Sequence, residues 1–352
     1  MQHYKPHENA KFEGYYSKFR LPSGAHLVFI VCTVPSAETR PHNITFTYVP
    51  PLNTTTTKVF QRELFVSDLQ FINHKESDDA GDMAFEQHWP GGFVKVHNDA
   101  ASTTEYMIEE TEFRFEAKTT GPPTPWMPDM DTPEGILVGL PLPLHWHVHS
   151  LASDCSFNIQ IHDSDYDLPS SDRSGIATVH QEKNWATSFP SAHHWIQARD
   201  ADGDRGICVA GGQILGMQAY LLGYHASNPK YTMAFRPPYA VKCAGWSPTM
   251  SITSDWDARS VELSIQTWTR KIVVQAQAPV GSFFSLSSPF ADGHRINMLA
   301  ESFRATVRVR VFEAGLLGPW SWRLVHEDGF EGGSLEFGAG YYPFAGREER
   351  YC

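Results

Sequence analysis

The clearest pattern in the chain is alternation between apolar and polar residues, which is typical of strands with one buried face. Residues 112–117, 261–268 and 305–312 alternate in this way, and in the last segment the arginines share one face and the valines the other. Residues 25–33 and 43–49 are rich in β-branched and aromatic side chains. We therefore predict β-strands over all five segments.

Helical periodicity is scarce by comparison. Short helical turns are expected only within residues 292–304 and 65–73. Many short strands bounded by Gly/Pro turns predict an all-β protein built from barrels or sandwiches. Residues 119–133 contain five prolines, which central strands exclude. We predict an N-terminal β unit over residues 1–120, a Pro-rich linker or loop over 121–135, and a C-terminal β unit over 136–352, with approximate boundaries and units that can interleave. The alternative is one long surface loop inside a continuous β architecture.

Composition narrows the classes of function. The 352 residues include 28 Lys+Arg and 40 Asp+Glu, which gives a net charge of −12. Such a chain repels phosphate backbones, so we expect neither a nucleic-acid partner nor a polybasic membrane anchor. Aromatic residues make up 13% of the chain and charged residues only 19%. That balance suits the lining of an apolar cavity, or equally the filling of broad β cores.

The sequence also bears on compartment and covalent cross-links. No segment has the roughly 20 consecutive apolar residues that a membrane-spanning helix needs. The five cysteines are odd in number and include no C-x-x-C pair, so a disulfide framework or zinc ribbon is not expected. The first residues show no apolar signal-peptide region, and we expect a cytoplasmic protein.

Residues 179–198 carry the most informative polar pattern. In a strand, Lys183 and Trp185 share one face, and Glu182 lies on the other with His180 and Asn184. Burial in an apolar barrel would raise the pKa of Glu182, and its neighbours on the same face are nearer partners than Lys183. The pattern fits two interpretations: an acid site, or a buried polar network that pins the end of a barrel.

The following strand adds Trp195 and Gln197, which share a face. A tryptophan beside an amide can line an apolar pocket with one orienting hydrogen bond. Together these segments read, in order, Glu182-Lys183-Asn184-Trp185, Phe189-Pro190 and Trp195-Ile196-Gln197. They resemble the E-K-N-W, F-P and W-x-W-x-Q signature of the tocopherol cyclase family.

Three further segments resemble that family in the same order along the chain. They are Phe12-Glu13-Gly14-Tyr15-Tyr16, which is similar to F-E-G-W-Y, the pair His145-Trp146, and the glycine-rich aromatic segment at residues 338–342. The chain departs from the family pattern at Ala186, where the family has glycine, and at Tyr15 and His193, where it has tryptophan.

The resemblance implies two lipocalin-like β-barrel or β-sandwich units with a ligand site inside or between them. It implies cofactor-free chemistry on a hydrophobic small molecule, since related β folds serve carotenoid hydratases and decalin-forming Diels–Alderases. We therefore expect a cyclase or isomerase that closes a ring on a prenylated aromatic, polyketide or polyene, by proton-assisted or pericyclic closure. The alternative is a non-catalytic lipocalin-like carrier of a hydrophobic ligand.

The expected catalytic residues are Glu182, His145, Lys183 and Asn184. The expected substrate-binding residues are Trp146, Trp185, Trp195, Gln197, Tyr15, Tyr16, Glu13 and His193. A protonated Glu182 could donate to the substrate or hold a donor such as His145 in orientation. A rival hypothesis is a metal site, because His145, His147 and His149 fall on one side of a strand. The resemblance implies that neither metal nor cofactor is required.

Overall fold

The computed structural model describes residues 3–51, 58–74, 83–163, 166, 168–315 and 318–347. Of these described residues, 61% are strand and only 3% helix, with a sheet curled into a half-barrel as in lipocalin-like folds. The helical part consists of three short 3-10 turns at Gly135–Gly139, Ser170–Asp172 and Pro229–Tyr231. The prediction of an all-β protein with few short helices is confirmed.

The first eleven strands form one antiparallel sheet in the order β4-β3-β2-β1-β11-β10-β9-β8-β7-β6-β5. Their bounds are β1 Phe12–Arg20, β2 His26–Thr33, β3 His42–Val49, β4 Phe60–Leu64, β5 Gln70–Asn73, β6 Met83–Trp89, β7 Gly92–His97, β8 Thr104–Glu109, β9 Phe113–Thr119, β10 Leu144–Ile161 and β11 Ser174–Ala186. One face carries a continuous aromatic core that includes Phe19, Phe29, Phe85 and Phe115.

The remaining strands form a second sheet with the main order β15-β14-β13-β12-β22-β21-β19-β18-β17. Strand β16 pairs with β14, and β20 pairs with β21. Their bounds are β12 Ala192–Arg199, β13 Gly206–Ile214, β14 Met217–His225, β15 Met233–Phe235, β16 Val241–Cys243, β17 Met250–Asp255, β18 Ser260–Gln266, β19 Arg270–Gln277, β20 Phe284–Phe290, β21 Gly293–Gly315 and β22 Gly318–Ala339.

The alternating segments form the strands that their pattern predicts. Residues 25–33, 43–49, 112–117, 261–268 and 305–312 fall largely within β2, β3, β9, β18 and β21. The expected helical turns within 292–304 are wrong, because this stretch belongs to the long strand β21 and pairs with its neighbours. Within 65–73 the chain likewise forms the short strand β5 rather than a helix.

Two compact units divide the chain, but at a different place from the predicted boundary. Unit 1 comprises residues 1–188 and 289–294, and unit 2 comprises 189–288 and 295–352. The Pro-rich segment 121–135 joins β9 to β10, which lie next to each other in the unit 1 sheet. Its prolines prevent strand formation without preventing packing, because Trp126 and Thr132 are buried and Thr124 donates to the Ala152 carbonyl at 2.6 Å. Consequently the E-K-N-W segment belongs to unit 1, in β11.

Within the described residues, we find no helix with the length and apolar character needed to cross a bilayer.

Candidate active site on strands β1 and β11

Strands β1 and β11 bring together four residues that the sequence analysis predicted for the site: Glu13, Tyr15, Lys183 and Trp185. Their antiparallel register places Glu13 opposite Trp185 and Tyr15 opposite Lys183. Directly opposed residues in a sheet project to the same side, so all four side chains share one face. This is the face on which the core of unit 1 packs, since Tyr15 belongs to that core.

Lys183 is the centre of this group. Its side chain is fully buried and forms an ion pair with Glu13. The ammonium also donates to the backbone carbonyl of Lys5, and its Nζ lies 2.9 Å from His7 Nδ1. Burial lowers the pKa of Lys183 to about 8, and Glu13 opposes this by favouring the charged form. Lys183 therefore releases its proton closer to neutral pH than an ordinary lysine does.

Aromatic rings surround the buried ammonium. The Nζ atom lies 4.8 Å from the ring centroid of Tyr15 and 5.3 Å from that of Trp185. Trp185 itself is stacked between two imidazoles, with centroid distances of 4.1 Å to His7 and 4.9 Å to His145. The Lys183 ammonium is thus an acid paired with a carboxylate, and the neighbouring aromatic rings stabilise its positive charge.

His145 is held by a carboxylate that sequence reasoning missed. Its Nδ1 lies 2.8 Å from Glu134 Oε2, and the other Glu134 oxygen accepts the Trp146 backbone N–H at 2.7 Å. Glu134 is 2% exposed and comes from the Pro-rich segment, where no periodicity marks it. The expectation that Glu182 orients His145 is therefore wrong, because Glu134 occupies that position.

The opposite face of the same strands holds three other predicted residues, Glu182, Tyr16 and Asn184. Glu182 Oε2 lies 2.9 Å from His180 Nε2, and both side chains are buried. This confirms that His180, rather than Lys183, is the direct neighbour of Glu182. Tyr16 pairs with Glu182 in register, and the exposed Asn184 lies across from Gly14. The four expected catalytic residues are accordingly divided between two faces.

Gly14 explains how Asn184 fits beside β1. A Cβ atom at this position would lie 2.7 Å from Asn184 Oδ1, which is closer than a real Cβ contact. Trp146 also lies away from the Lys183 group and packs edge-on against Trp126, with ring centroids 5.4 Å apart.

Three further predicted residues lie on β12 in unit 2. His193, Trp195 and Gln197 alternate along the strand, on the face that does not contribute to the core of that unit. His193 Nε2 lies 2.9 Å from Glu336 Oε1, a second carboxylate that the sequence did not indicate. A side chain at Gly338 would collide with the His193 ring, which gives the glycine of the C-terminal aromatic segment a structural reason.

The three histidines of β10 do not form a group of converging metal ligands among the described residues. His145 bonds to Glu134, whereas His149 stacks on Tyr4 with ring centroids 4.1 Å apart. The His147 and His149 rings lie 6.4 Å apart, and burial lowers the pKa of His149 to about 3. Both imidazoles are therefore neutral groups of the unit 1 interior.

Several buried polar atoms near this site have no hydrogen-bond partner among the described residues. They are the Tyr15 hydroxyl, both amide atoms of Gln87, His147 Nδ1 and His149 Nε2. Buried polar groups in folded proteins are usually hydrogen-bonded, so a cluster of unpaired ones indicates capacity for a ligand. Gln87 was not found from the sequence, because it sits in β6 within an ordinary strand pattern.

Comparisons with known proteins bear on the fold. In sequence, the chain matches no protein-family model and no curated protein. In structure, it is similar to CghA, with a TM-score of 0.57 and 11% identity over 94% of this chain and 88% of CghA. CghA in complex with Sch210972 gives a TM-score of 0.54 at 11% identity, over 93% of this chain and 88% of CghA.

A putative AttH from Nitrosomonas europaea is also similar, with a TM-score of 0.50 and 11% identity over 96% of this chain and 95% of AttH. At such low identity these likenesses show a common lipocalin-like β fold and nothing finer. The resemblance to the tocopherol cyclase family stays an observation on sequence motifs. The chain therefore shares its fold with CghA and this AttH.

Proposed function

We propose that the chain is a cofactor-independent cyclase or isomerase that closes a ring on a hydrophobic natural-product intermediate, with Lys183 as proton donor. The observation that carries the proposal is the fully buried Lys183 ammonium, paired with Glu13 and walled by Tyr15 and Trp185. A general acid is most effective when its pKa lies near the working pH, and the pKa of Lys183 is lowered to about 8.

The acid strength of an ammonium determines which substrate atom it can protonate or hydrogen-bond. Lys183 is too weak an acid to protonate an isolated alkene, whereas it can donate a strong hydrogen bond or a proton to a carbonyl oxygen. A substrate carbonyl conjugated to the reacting alkene would be polarised by this donation. The aromatic rings around Tyr15, such as Phe71 and Phe85, would then hold the flexible apolar chain in the folded conformation that ring closure requires.

The same donor can assist two routes. In a conjugate addition, Lys183 protonates the carbonyl oxygen while a substrate hydroxyl adds to the polarised alkene, and the hydroxyl proton is then taken up by the Lys183 amine. The enol so formed tautomerises to the carbonyl compound, gaining a proton on carbon and losing the one on oxygen. In a Diels–Alder closure, the hydrogen bond to the carbonyl activates the alkene and no proton moves to carbon. Both routes conserve the atoms of the substrate, as an isomerisation must.

Substrate positioning and general-acid catalysis are together sufficient to accelerate such a ring closure. Holding two ends of a substrate together removes about 7–11 kcal/mol of barrier in favourable cases. A positioned general acid contributes roughly 100- to 10,000-fold in rate. CghA, which shares the fold, has been solved with the small molecule Sch210972, and this supports a small-molecule site in proteins of this architecture.

Glu182 is the second candidate donor, favoured by its burial and by its 2.9 Å contact with His180. Lys183→Met and Glu182→Gln separate the two, because the residues project from opposite faces of β11. We expect Lys183→Met to lower single-turnover rate at least tenfold, or about 1.4 kcal/mol of transition-state stabilisation, on a polyene substrate with a conjugated carbonyl. Glu182→Gln should have the smaller effect per folded molecule.

Product analysis in deuterated water distinguishes the routes. Conjugate addition places deuterium on the carbon next to the carbonyl, and pericyclic closure does not. Full turnover by a folded Lys183→Met variant would reject Lys183 as the donor. Tight binding of such polyenes without any conversion would support the carrier function instead.

A further inference from the structure

Residues 3–8 lie against the candidate site although they belong to no strand, and Tyr4 is the buried member of the segment. Tyr4 is 2% exposed, and its ring stacks on His149 at 4.1 Å with an interplanar angle of 9°. It also meets the Tyr15 and Phe85 rings edge-on, at centroid distances of 5.5 and 5.8 Å. A phenol ring from an irregular segment therefore fills the middle of an aromatic slot.

The segment is tied down by the same groups that form the site. Lys183 donates to the carbonyls of Tyr4, at 3.4 Å, and of Lys5. The His7 backbone N–H donates to Glu13 Oε1 at 3.0 Å, and the His7 ring stacks on Trp185. An ammonium has three protons, so these contacts together with Glu13 occupy all of its donor capacity.

Around Tyr4, however, polar capacity is left unused. Within the described part of the chain, His149 Nε2, His147 Nδ1, the Tyr15 hydroxyl and the Gln87 amide are buried without hydrogen-bond partners. These residues are 0–8% exposed, so solvent does not satisfy them. A tyrosine that served only as core filler would leave no reason for the unpaired nitrogens of His147 and His149, whose rings lie next to its own.

We propose that residues 3–8, the N-terminal plug, are an intramolecular occupant of the unit 1 site, and that Tyr4 stands where the planar ring of a ligand binds. The ligand class is a neutral flat ring that carries a hydroxyl or carbonyl oxygen. The neutral imidazoles of His147 and His149 and the Tyr15 hydroxyl can bond such an oxygen. Displacement of the plug also frees Lys183 to donate to the ligand.

This inference rests on the proposed function only in taking the Lys183 group as the site. It also accounts for a feature that the proposed function leaves open, since in the closed arrangement Lys183 has no donor to offer. Entry of the ligand and activation of the acid are then a single event.

The test uses the full chain and the neutral fluorescent probe 6-propionyl-2-(dimethylamino)naphthalene, a flat ring system that carries a carbonyl oxygen. Tyr4→Ala empties the slot, and we expect it to lower the Kd of the probe at least tenfold. The matched control is Tyr341→Ala in unit 2, because Tyr341 stacks on His194 with the same 4.1 Å distance and 9° angle. That variant should stay within twofold of the wild type.

Adding His149→Ala to Tyr4→Ala should abolish the gain, since the slot then loses its stacking face. A folded Tyr4→Ala protein with wild-type affinity would overturn the proposal, as would an equal gain in Tyr341→Ala. If Tyr4→Ala fails to fold, His7→Ala decides, because it releases the plug from Trp185 and Glu13 without emptying the core. His7→Ala should then tighten probe binding several-fold, and no change would reject the plug.

Probe binding is measured without turnover, so the two proposals fail separately. A gain in binding together with full turnover by Lys183→Met would keep the plug and reject the proposed acid. Unchanged binding in Tyr4→Ala together with loss of turnover in Lys183→Met would do the reverse.

Discussion

Each unit contains a tyrosine stacked on a buried histidine, and the two stacks have the same geometry. Tyr4 on His149 in unit 1 and Tyr341 on His194 in unit 2 both have a 4.1 Å centroid distance and a 9° angle. Burial lowers the pKa of both histidines to about 3. The rings alone do not distinguish one unit from the other.

The hydrogen bonds of the two stacked histidines do distinguish the units. In unit 2, His194 Nδ1 lies 3.0 Å from the Tyr220 hydroxyl and Nε2 lies 2.8 Å from Ser254 Oγ. In unit 1, His149 Nε2 has no partner within the described part of the chain. The two histidines are similarly buried, but His194 is hydrogen-bonded through both nitrogens, whereas His149 Nε2 is not hydrogen-bonded within the described residues. Hydrogen-bond satisfaction, rather than aromatic content, separates the structural stack from the candidate binding site.

The largest expected effect concerns the buried ion pair of unit 1. Glu13→Gln leaves the Lys183 ammonium buried without its counter-charge, which should cost about 3–5 kcal/mol of unfolding free energy. The matched change in unit 2 is Glu336→Gln, whose partner His193 is 25% exposed, and there we expect about 1 kcal/mol or less. Urea unfolding of both variants measures the difference.

The double variant Glu13→Gln/Lys183→Met should recover most of the loss, because it leaves no unpaired charge. Equal losses in Glu13→Gln and Glu336→Gln would contradict the contrast between the two pairs.

An intermediate effect comes from the two stacked histidines. His194→Phe keeps the ring but leaves the buried Tyr220 hydroxyl without its partner, at an expected cost of about 1–3 kcal/mol. His149→Phe removes Nε2, which has no hydrogen-bond partner among the described residues, and the stability should change by no more than about 0.5 kcal/mol. Thermal melting and urea unfolding of the two variants check this order, which a larger loss in His149→Phe would reverse.

The smallest expected effect is the change that each of these histidines makes to stability over a single pH unit. An unfolded histidine binds a proton below pH 6.5, whereas His149 and His194 stay neutral in the fold until about pH 3. The unfolded state thus binds more protons in this window, and stability falls as pH falls, by up to about 1.4 kcal/mol per pH unit for each histidine. Either Phe variant should flatten the slope between pH 6 and 5 by a similar amount. An unchanged slope in His149→Phe would mean that His149 is charged in the fold.

Alternation of residues predicted much of the unit 1 site. Period-two reasoning correctly separated Lys183 from Glu182 and paired the latter with His180, because the alternation of side chains along a strand is a local property. Glu134, Tyr4 and His7 could not be found this way. They come from irregular segments and reach the site through contacts distant in sequence, as in the bond between His7 and Lys183.

The unit boundary was misplaced for a related reason. The prolines at residues 122–133 lack the backbone N–H that strand pairing needs. They do not determine whether the side chains of the segment are buried. The segment packs on β10 and supplies Glu134, so it is part of unit 1.

The pH dependence of kcat/KM tests the role of Lys183 most directly. If Lys183 is the acid, activity requires its protonated form and must fall as the pH rises through about 8. Glu13 favours that protonated form, so Glu13→Gln should shift the falling limb to lower pH. A profile that is flat from pH 6.5 to 9, or a limb that moves to higher pH in Glu13→Gln, would contradict the account.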